Sequence, residues 1–245
     1  MKKIRTIFAF ALSLLLVFSC SALEHPDPSQ DDDAPRLSTI TAYTDPVTLS
    51  TLYSITYHKS GRAAEIKDYL AQRTIRVQEN PLRVSWEDNG GLYGGSLTDI
   101  SCNDKGYMVS CTWTERIGSE TESFKLKATY DSDGHLLTLG DVRLEWSDAC
   151  LMRISGDDEF VARLEYDGDD NQQGQWVPWC VGELFYGMEM TGLFGKAPRQ
   201  LIARVWLDYD QPYSYTYHFN ASGQISDMVS HHPEGGSTVP MYFNY

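Results

Sequence analysis

"YTYHFNASGQISDM", residues 215–228, reads as a strand, a tight turn and a second strand. Tyr215, Tyr217 and Phe219 alternate with Thr216 and His218, which puts the aromatics on one face and the polar residues on the other. Asn220-Ala221-Ser222-Gly223 then breaks the run, and Ile225 restarts it. A short polar run closed by Gly suits a type I turn followed by a residue with positive φ, a common hairpin closure. The same cadence recurs in "ITYHKSGRAAEI" (55–66) and "ATYDSDGHLLTL" (128–139), and more loosely in "ISCNDKGYMVSC" (100–111).

Working outward, period-two alternation continues along most of the chain after residue 50. Leu82, Val84 and Trp86 alternate with Arg83 and Ser85; Phe124, Leu126, Ala128 and Tyr130 with Lys125, Lys127 and Thr129. Val142, Leu144 and Trp146, and then Phe160, Ala162, Leu164 and Tyr166, repeat the pattern. One dry face and one wet face is the habit of antiparallel sheets, and a slip of one residue would exchange the faces. The fold class is therefore all-β, a long antiparallel meander with few or no helices. Ala63–Arg73 has helical composition, but after "TYHKSG" it reads as the partner strand of a hairpin. Residues 167–180 and 187–200 lack alternation and read as irregular loops, the second with room for one short helical turn.

The N-terminus is a targeting segment and lies outside this pattern. Lys2, Lys3 and Arg5 precede an apolar run from Ile7 to Phe18, which ends at Ser19-Cys20. Residues 1–19 read as a secretory signal peptide, and Cys20 as the residue lipidated after cleavage. Residues 20–37, with Pro26, Pro28, Asp31-Asp32-Asp33 and Pro35, read as the lipidated Cys and a tether with little to bury. Residues 38–245 form a single domain, long enough to build a core without covalent staples. A lipid on Cys20 makes a membrane the first partner, and the expected location is the cell envelope, as an outer-membrane lipoprotein on either its periplasmic or its outer side. The 245-residue chain carries a formal charge of −14, which disfavours nucleic acid as a partner.

Candidate chemistry is sparse. Asp167, Asp169 and Asn171 have the spacing of the first ligands of a calcium loop, but Gln172 replaces the Gly and Pro178 the closing Glu, so a solvated acidic turn is the preferred reading. The "DSDG" run reads as a hairpin turn closed by Gly134 rather than as a calcium loop. Adjacent His231 and His232 on a strand point to opposite faces and do not share a metal. No G-x-S-x-G or H-E-x-x-H is present, so no catalytic residues, metal or cofactor are assigned and a non-enzymatic module is expected. Cys102, Cys111, Cys150 and Cys180 are either buried thiols or disulfide partners. A symmetric turn at Asp104-Lys105 would set Cys102 opposite Tyr107 and Cys111 opposite Thr98, so those two do not pair. Trp176, Trp179, Phe185, Tyr186 and Phe194 gather in or near the irregular loops, either as platforms for a glycan, peptide or envelope protein or as a cap on one end of the sheet. Tyr213, Tyr215, Tyr217 and Phe219 read as a core stripe.

In order, "ITYHKSGRAAEI", "ISCNDKGYMVS", "ATYDSDGHLLTL", "VRLEWSDACLMRI", "ARLEYDGDDNQQG", "YGMEMTGLFGKAPRQLIARV" and "YSYTYHFNASGQISDM" resemble the DUF4595 family of Bacteroidetes lipoproteins, which have a porin-like β fold. The resemblance spans about residues 38–245 and implies a meander curved or closed into a barrel-like sheet. It carries no catalytic residues to transfer. A small barrel holding a hydrophobic or glycan ligand, an integral outer-membrane barrel and a glycan-acting enzyme are the alternatives to a plain binding or structural module.

Overall fold

The computed structural model describes residues 36–43, 48–69, 71–156, 161–171, 191–207, 211–231 and 239–245. The first strands are β1 (Thr39–Tyr43), β2 (Leu49–Tyr57), β3 (Ala63–Asp68), β4 (Arg73–Glu79), β5 (Leu82–Asp88) and β6 (Tyr93–Cys102). They continue as β7 (Met108–Ile117), β8 (Glu120–Tyr130), β9 (Leu136–Leu139), β10 (Val142–Ser147) and β11 (Cys150–Ser155). The last are β12 (Val161–Asp170), β13 (Gln200–Trp206), β14 (Tyr213–Phe219), β15 (Ile225–His231) and β16 (Val239–Asn244). Every strand pairs antiparallel with its sequence neighbours, and β1 closes the ring on β16 from Thr39↔Asn244 to Ala42↔Met241. Closure removes the edges that a meander of this length would otherwise expose. None of the described residues is α-helical.

The alternation becomes an inside and an outside. Ile66, Ile75, Val84, Leu97, Leu144, Leu164 and Val205 are all 3 % exposed or less and belong to one apolar cluster. A ring of sixteen strands is wide enough for an aqueous channel. This lumen is instead occupied by large side chains, among them Tyr53, Trp86, Trp113, Met108, Met228 and Met241. The outward positions carry Lys67, Arg76, Glu87, Lys125, Arg163, Glu165 and Arg204. That is the reverse of a membrane-spanning barrel, whose outward band is apolar.

The two ends of the barrel are built differently. At the distal end, each odd-numbered strand is joined in sequence to the following even-numbered one, and pairing runs out to the connections, as in Asp68↔Arg73 and Ile117↔Glu120. At the proximal end, where β1 begins, the same hairpins stop pairing early. β9 and β10 pair only through Val142↔Leu139 and Arg143↔Thr138, and β13 and β14 only through Arg204↔Ser214 and Val205↔Tyr213. Carbonyls left unpaired there need a donor, since an unmet buried polar group is costly. An aromatic of the even strand supplies it repeatedly. Tyr57 Oη donates to the Leu37 carbonyl (2.7 Å), Tyr130 to Met108 (2.8 Å), Trp146 Nε1 to Leu136 (2.7 Å), Tyr166 to Leu151 (2.8 Å) and Tyr217 to Ile202 (2.9 Å). The aromatic ahead of the turn is thus the recurring feature of the sequence because it does one recurring job.

Several local expectations are corrected. Phe219 leaves the core stripe at 41 % exposed, because the β14–β15 register shifts between His218 and Phe219. Cys102 lies opposite Met108 rather than Tyr107, and Thr98 opposite Thr112 rather than Cys111. Asn103 Oδ1 accepts the N–H groups of Lys105 and Tyr107, which lengthens the turn by a residue. A bulge with Asp99 at φ 50 then offsets the strands again. Residues 167–170, expected as loop, extend β12. The 63–73 hairpin and the absence of a helix over it stand as read.

Candidate functional site

The short pairing at the proximal end leaves a concavity on the outer wall. β3 and β4 pair from Asp68↔Arg73 only as far as Glu65↔Arg76, although β4 runs on to Glu79. The β2–β3 turn leans over this gap: His58 Nε2 meets the Val77 carbonyl at 2.7 Å, and Ser60 Oγ donates to Glu79. Because a carbonyl only accepts, His58 Nε2 carries a proton and donates, leaving Nδ1 on the side of Glu79, 4.0 Å from its carboxylate. The result is a groove of about 480 Å3, floored in part by Ala64 and Val77 and walled by Glu65, Arg76, Gln78, Glu79, Arg83 and Ser85 beneath His58.

Strand register explains why these residues meet. Arg76 lies opposite Ser85 and Gln78 opposite Arg83, so all four side chains stand on the outer face of β4 and β5. Both oxygens of Glu65 are engaged, one by Lys67 (3.1 Å) and one by Arg76 (3.1 Å). Gln78 donates its amide to the Asn80 carbonyl (3.1 Å) and keeps its oxygen available. Arg83 is exposed, and among the described residues it has no ion-pair partner. Within the groove's own lining Arg76 and Arg83 stand against Glu65 and Glu79, so the charges balance, and Arg83 is the guanidinium left without an ion pair among the described residues. No sequence motif marks the groove, since each residue is an ordinary wet-face residue until the register sets them side by side.

Trp176, Trp179, Phe185, Tyr186, Cys20 and Cys180 lie outside the described residues, as does His232. Phe194 is not an exposed platform: it is 1 % exposed and packs in the core cluster. Residues 191–199 cross the proximal end as a strap. The Leu193 carbonyl accepts from Met108 N (2.8 Å), Lys196 N donates to Gly134 O (2.9 Å) and Arg199 N to Ala149 O (2.8 Å). This is the capping role, filled by Leu193, Phe194 and Ala197. Asp167 and Asp169 are exposed on β12, and the Asn171 amide donates to the Pro198 carbonyl (2.8 Å).

The "DSDG" turn does gather Asp131, Asp133 and His135 with potential ligand atoms within 4.8 Å. Its chemistry is internal. Asp131 Oδ1 accepts from Gly134 N (2.7 Å) and His135 N (2.8 Å), and Oδ2 meets His135 Nδ1 (2.8 Å). Burial alone would raise the Asp131 carboxyl, but the His135 side-chain and backbone hydrogen bonds outweigh it and hold the group below its usual value. His135 is buried and stacks on Trp146 at 4.5 Å. Cys102, Cys111 and Cys150 carry free thiols, and burial pushes the Cys111 thiol up to about 12, far from the thiolate a nucleophile needs.

At the distal end, inward positions turn polar. Asp68, Arg73, Asp88 and Tyr93 follow one another around the inner rim, with Arg73 over the Tyr93 ring at 5.7 Å. Tyr93 Oη donates to Glu115. One layer deeper, Trp86 and Trp113 pack at 5.0 Å, and neither indole N–H has an acceptor among the described residues.

No family model matches the chain, and no curated protein matches it in sequence. Solved structures do. A porin-like protein from Bacteroides uniformis ATCC 8492 superposes with a TM-score of 0.60 at 15 % identity, covering 86 % of this chain and 98 % of that one. A porin-like protein from Bacteroides vulgatus ATCC 8482 gives 0.46 at 8 % identity, covering 86 % and 99 %. At such identity the first likeness speaks to the barrel fold alone.

Proposed function

We propose that this chain is a lipid-anchored cell-envelope protein of the DUF4595 kind, acting as a non-enzymatic binding module. The observation that carries the reading is a barrel filled by its own side chains whose wall presents a charged, concave groove. A filled lumen favours recognition on the outer wall over carriage of a hydrophobic molecule inside. The charged outer face of the strands favours a barrel standing in water over one spanning a bilayer. The apolar run ending at Cys20 supports anchorage by lipid, with the tether ending before Leu37, which is already buried in the core ahead of β1.

Labelling cells that express the full chain with radioactive palmitate tests the anchor. Label is expected on the wild-type protein and not on Cys20→Ser, which should move to the soluble fraction. Equal labelling of both, or extraction of Cys20→Ser only by detergent, would remove the lipid anchor and reopen the membrane-spanning alternative.

A further inference from the structure

We infer that the groove between the β2–β3 turn and strands β4 and β5 is a binding site for a carboxylate-bearing sugar. This deepens the binding-module reading and rests on it. A ligand for this site has to satisfy two features at once.

The first is charge. Arg76 is only half neutralised, since it shares Glu65 with Lys67, and Arg83 has no carboxylate partner among the described residues. A guanidinium presents paired N–H donors matched to a planar carboxylate, and on a chain of −14 an unneutralised Arg in a concavity draws an anion to that place over the rest of the surface. Ser85, opposite Arg76 in the register, adds a hydroxyl beside the charge.

The second feature is the supply of acceptors around that cation. His58 donates its Nε2–H to the Val77 carbonyl, so Nδ1 is the ring nitrogen left over, 4.0 Å from the Glu79 carboxylate that also lines the groove. Gln78 gives its amide hydrogen to Asn80, so its oxygen is the group left over. Acceptors flanking a guanidinium suit a ligand that is rich in hydroxyl donors and carries one carboxylate, which is the chemistry of a uronic-type sugar. A simple phosphate or sulfate would bring charge and leave those acceptors unmet. The volume, about 480 Å3, lies within the range of small-molecule sites.

Calorimetry on the full chain in detergent micelles, titrated with digalacturonate and, separately, with its neutral counterpart digalactose, tests this. Hydrogen exchange locates the contact. Digalacturonate is expected to bind, to protect segments 58–65 and 76–85, and to lose at least about tenfold in affinity on Arg83→Gln, with partial recovery in Arg83→Lys. Digalactose is expected to bind at least about tenfold more weakly. Inorganic sulfate competing as well as digalacturonate would overturn the sugar assignment. So would protection elsewhere, unchanged affinity in Arg83→Gln, or no heat at about 10 mM ligand. A silent groove on a chain still labelled at Cys20 sinks this inference and leaves the anchor standing; loss of Cys20 labelling does the reverse.

Discussion

The proximal and distal ends of the barrel solve one problem in opposite ways. At both, a closed sheet has to stop, and its last inward-facing groups have to meet either partners or water. The distal end keeps backbone pairing to its connections and lets the inner rim turn polar, with Asp68, Arg73, Asp88 and Tyr93 on successive strands. The proximal end gives up backbone pairing early and replaces it with side-chain donors from Tyr57, Tyr130, Trp146, Tyr166 and Tyr217, beneath a strap at 191–199. The difference teaches where function can reside. The end that leaves its strands apart has spare wall, and the groove occupies one such gap, between β3 and β4.

The largest test of this contrast sets two glycines against each other. A Cβ at Gly95 would lie 2.3 Å from the Thr114 carbonyl oxygen and 2.3 Å from Trp86, inside the packed wall. Gly95→Ala is expected to cost about 3 kcal/mol or more of global stability by chemical denaturation. Gly195 lies in the strap at φ 87, where a Cβ would come 2.6 Å from the Gly134 carbonyl. Gly195→Ala should chiefly loosen the strap, seen as faster proteolysis there with a smaller loss of global stability. Equal global losses would mean that strap and wall unfold as one unit.

Next in size is the aromatic stitch. Tyr217→Phe leaves the buried Ile202 carbonyl without its donor and should cost about 1–3 kcal/mol. Tyr93→Phe at the distal rim removes a donor from a half-buried carboxylate that water can reach, and should cost under about 1 kcal/mol. If the two substitutions cost the same, the distinction between the ends fails.

The smallest effect depends on pH. Asp131 is held below the usual carboxylate value of 3.8, so the stability it adds is complete above that value and is lost as pH falls through the lowered one. Asp131→Asn should therefore be less stable than wild type at neutral pH, and the gap should close on acidification below the ordinary carboxylate range. A gap independent of pH would assign the turn's stability to shape alone.

How much of this was legible beforehand varied by level. Alternation in runs such as Leu82-Arg83-Val84-Ser85-Trp86 exposed the strands, because a period of two is a local property of one segment and water reports on it directly. Hairpin turns were legible for the same reason, down to Asn220 and Gly223. Bulges were not: the offset at Asp99 and the slip at Phe219 depend on how a partner strand is met. The groove was illegible too. Arg76, Arg83 and Ser85 each read as solvated, and nothing local records that a gap beside β4 makes them neighbours of His58.

The amino-acid sequence by itself determined the strand content, the antiparallel order, the dry and wet faces and the placing of an aromatic before the turns, all consequences of short-range patterning. Only the tertiary structure decided that sixteen strands close, that β1 meets β16 across about 200 residues, that the lumen fills, and which carbonyls the aromatics serve. Those outcomes depend on contacts between residues far apart in the chain, where register and bulges sum around the ring before any two ends can meet.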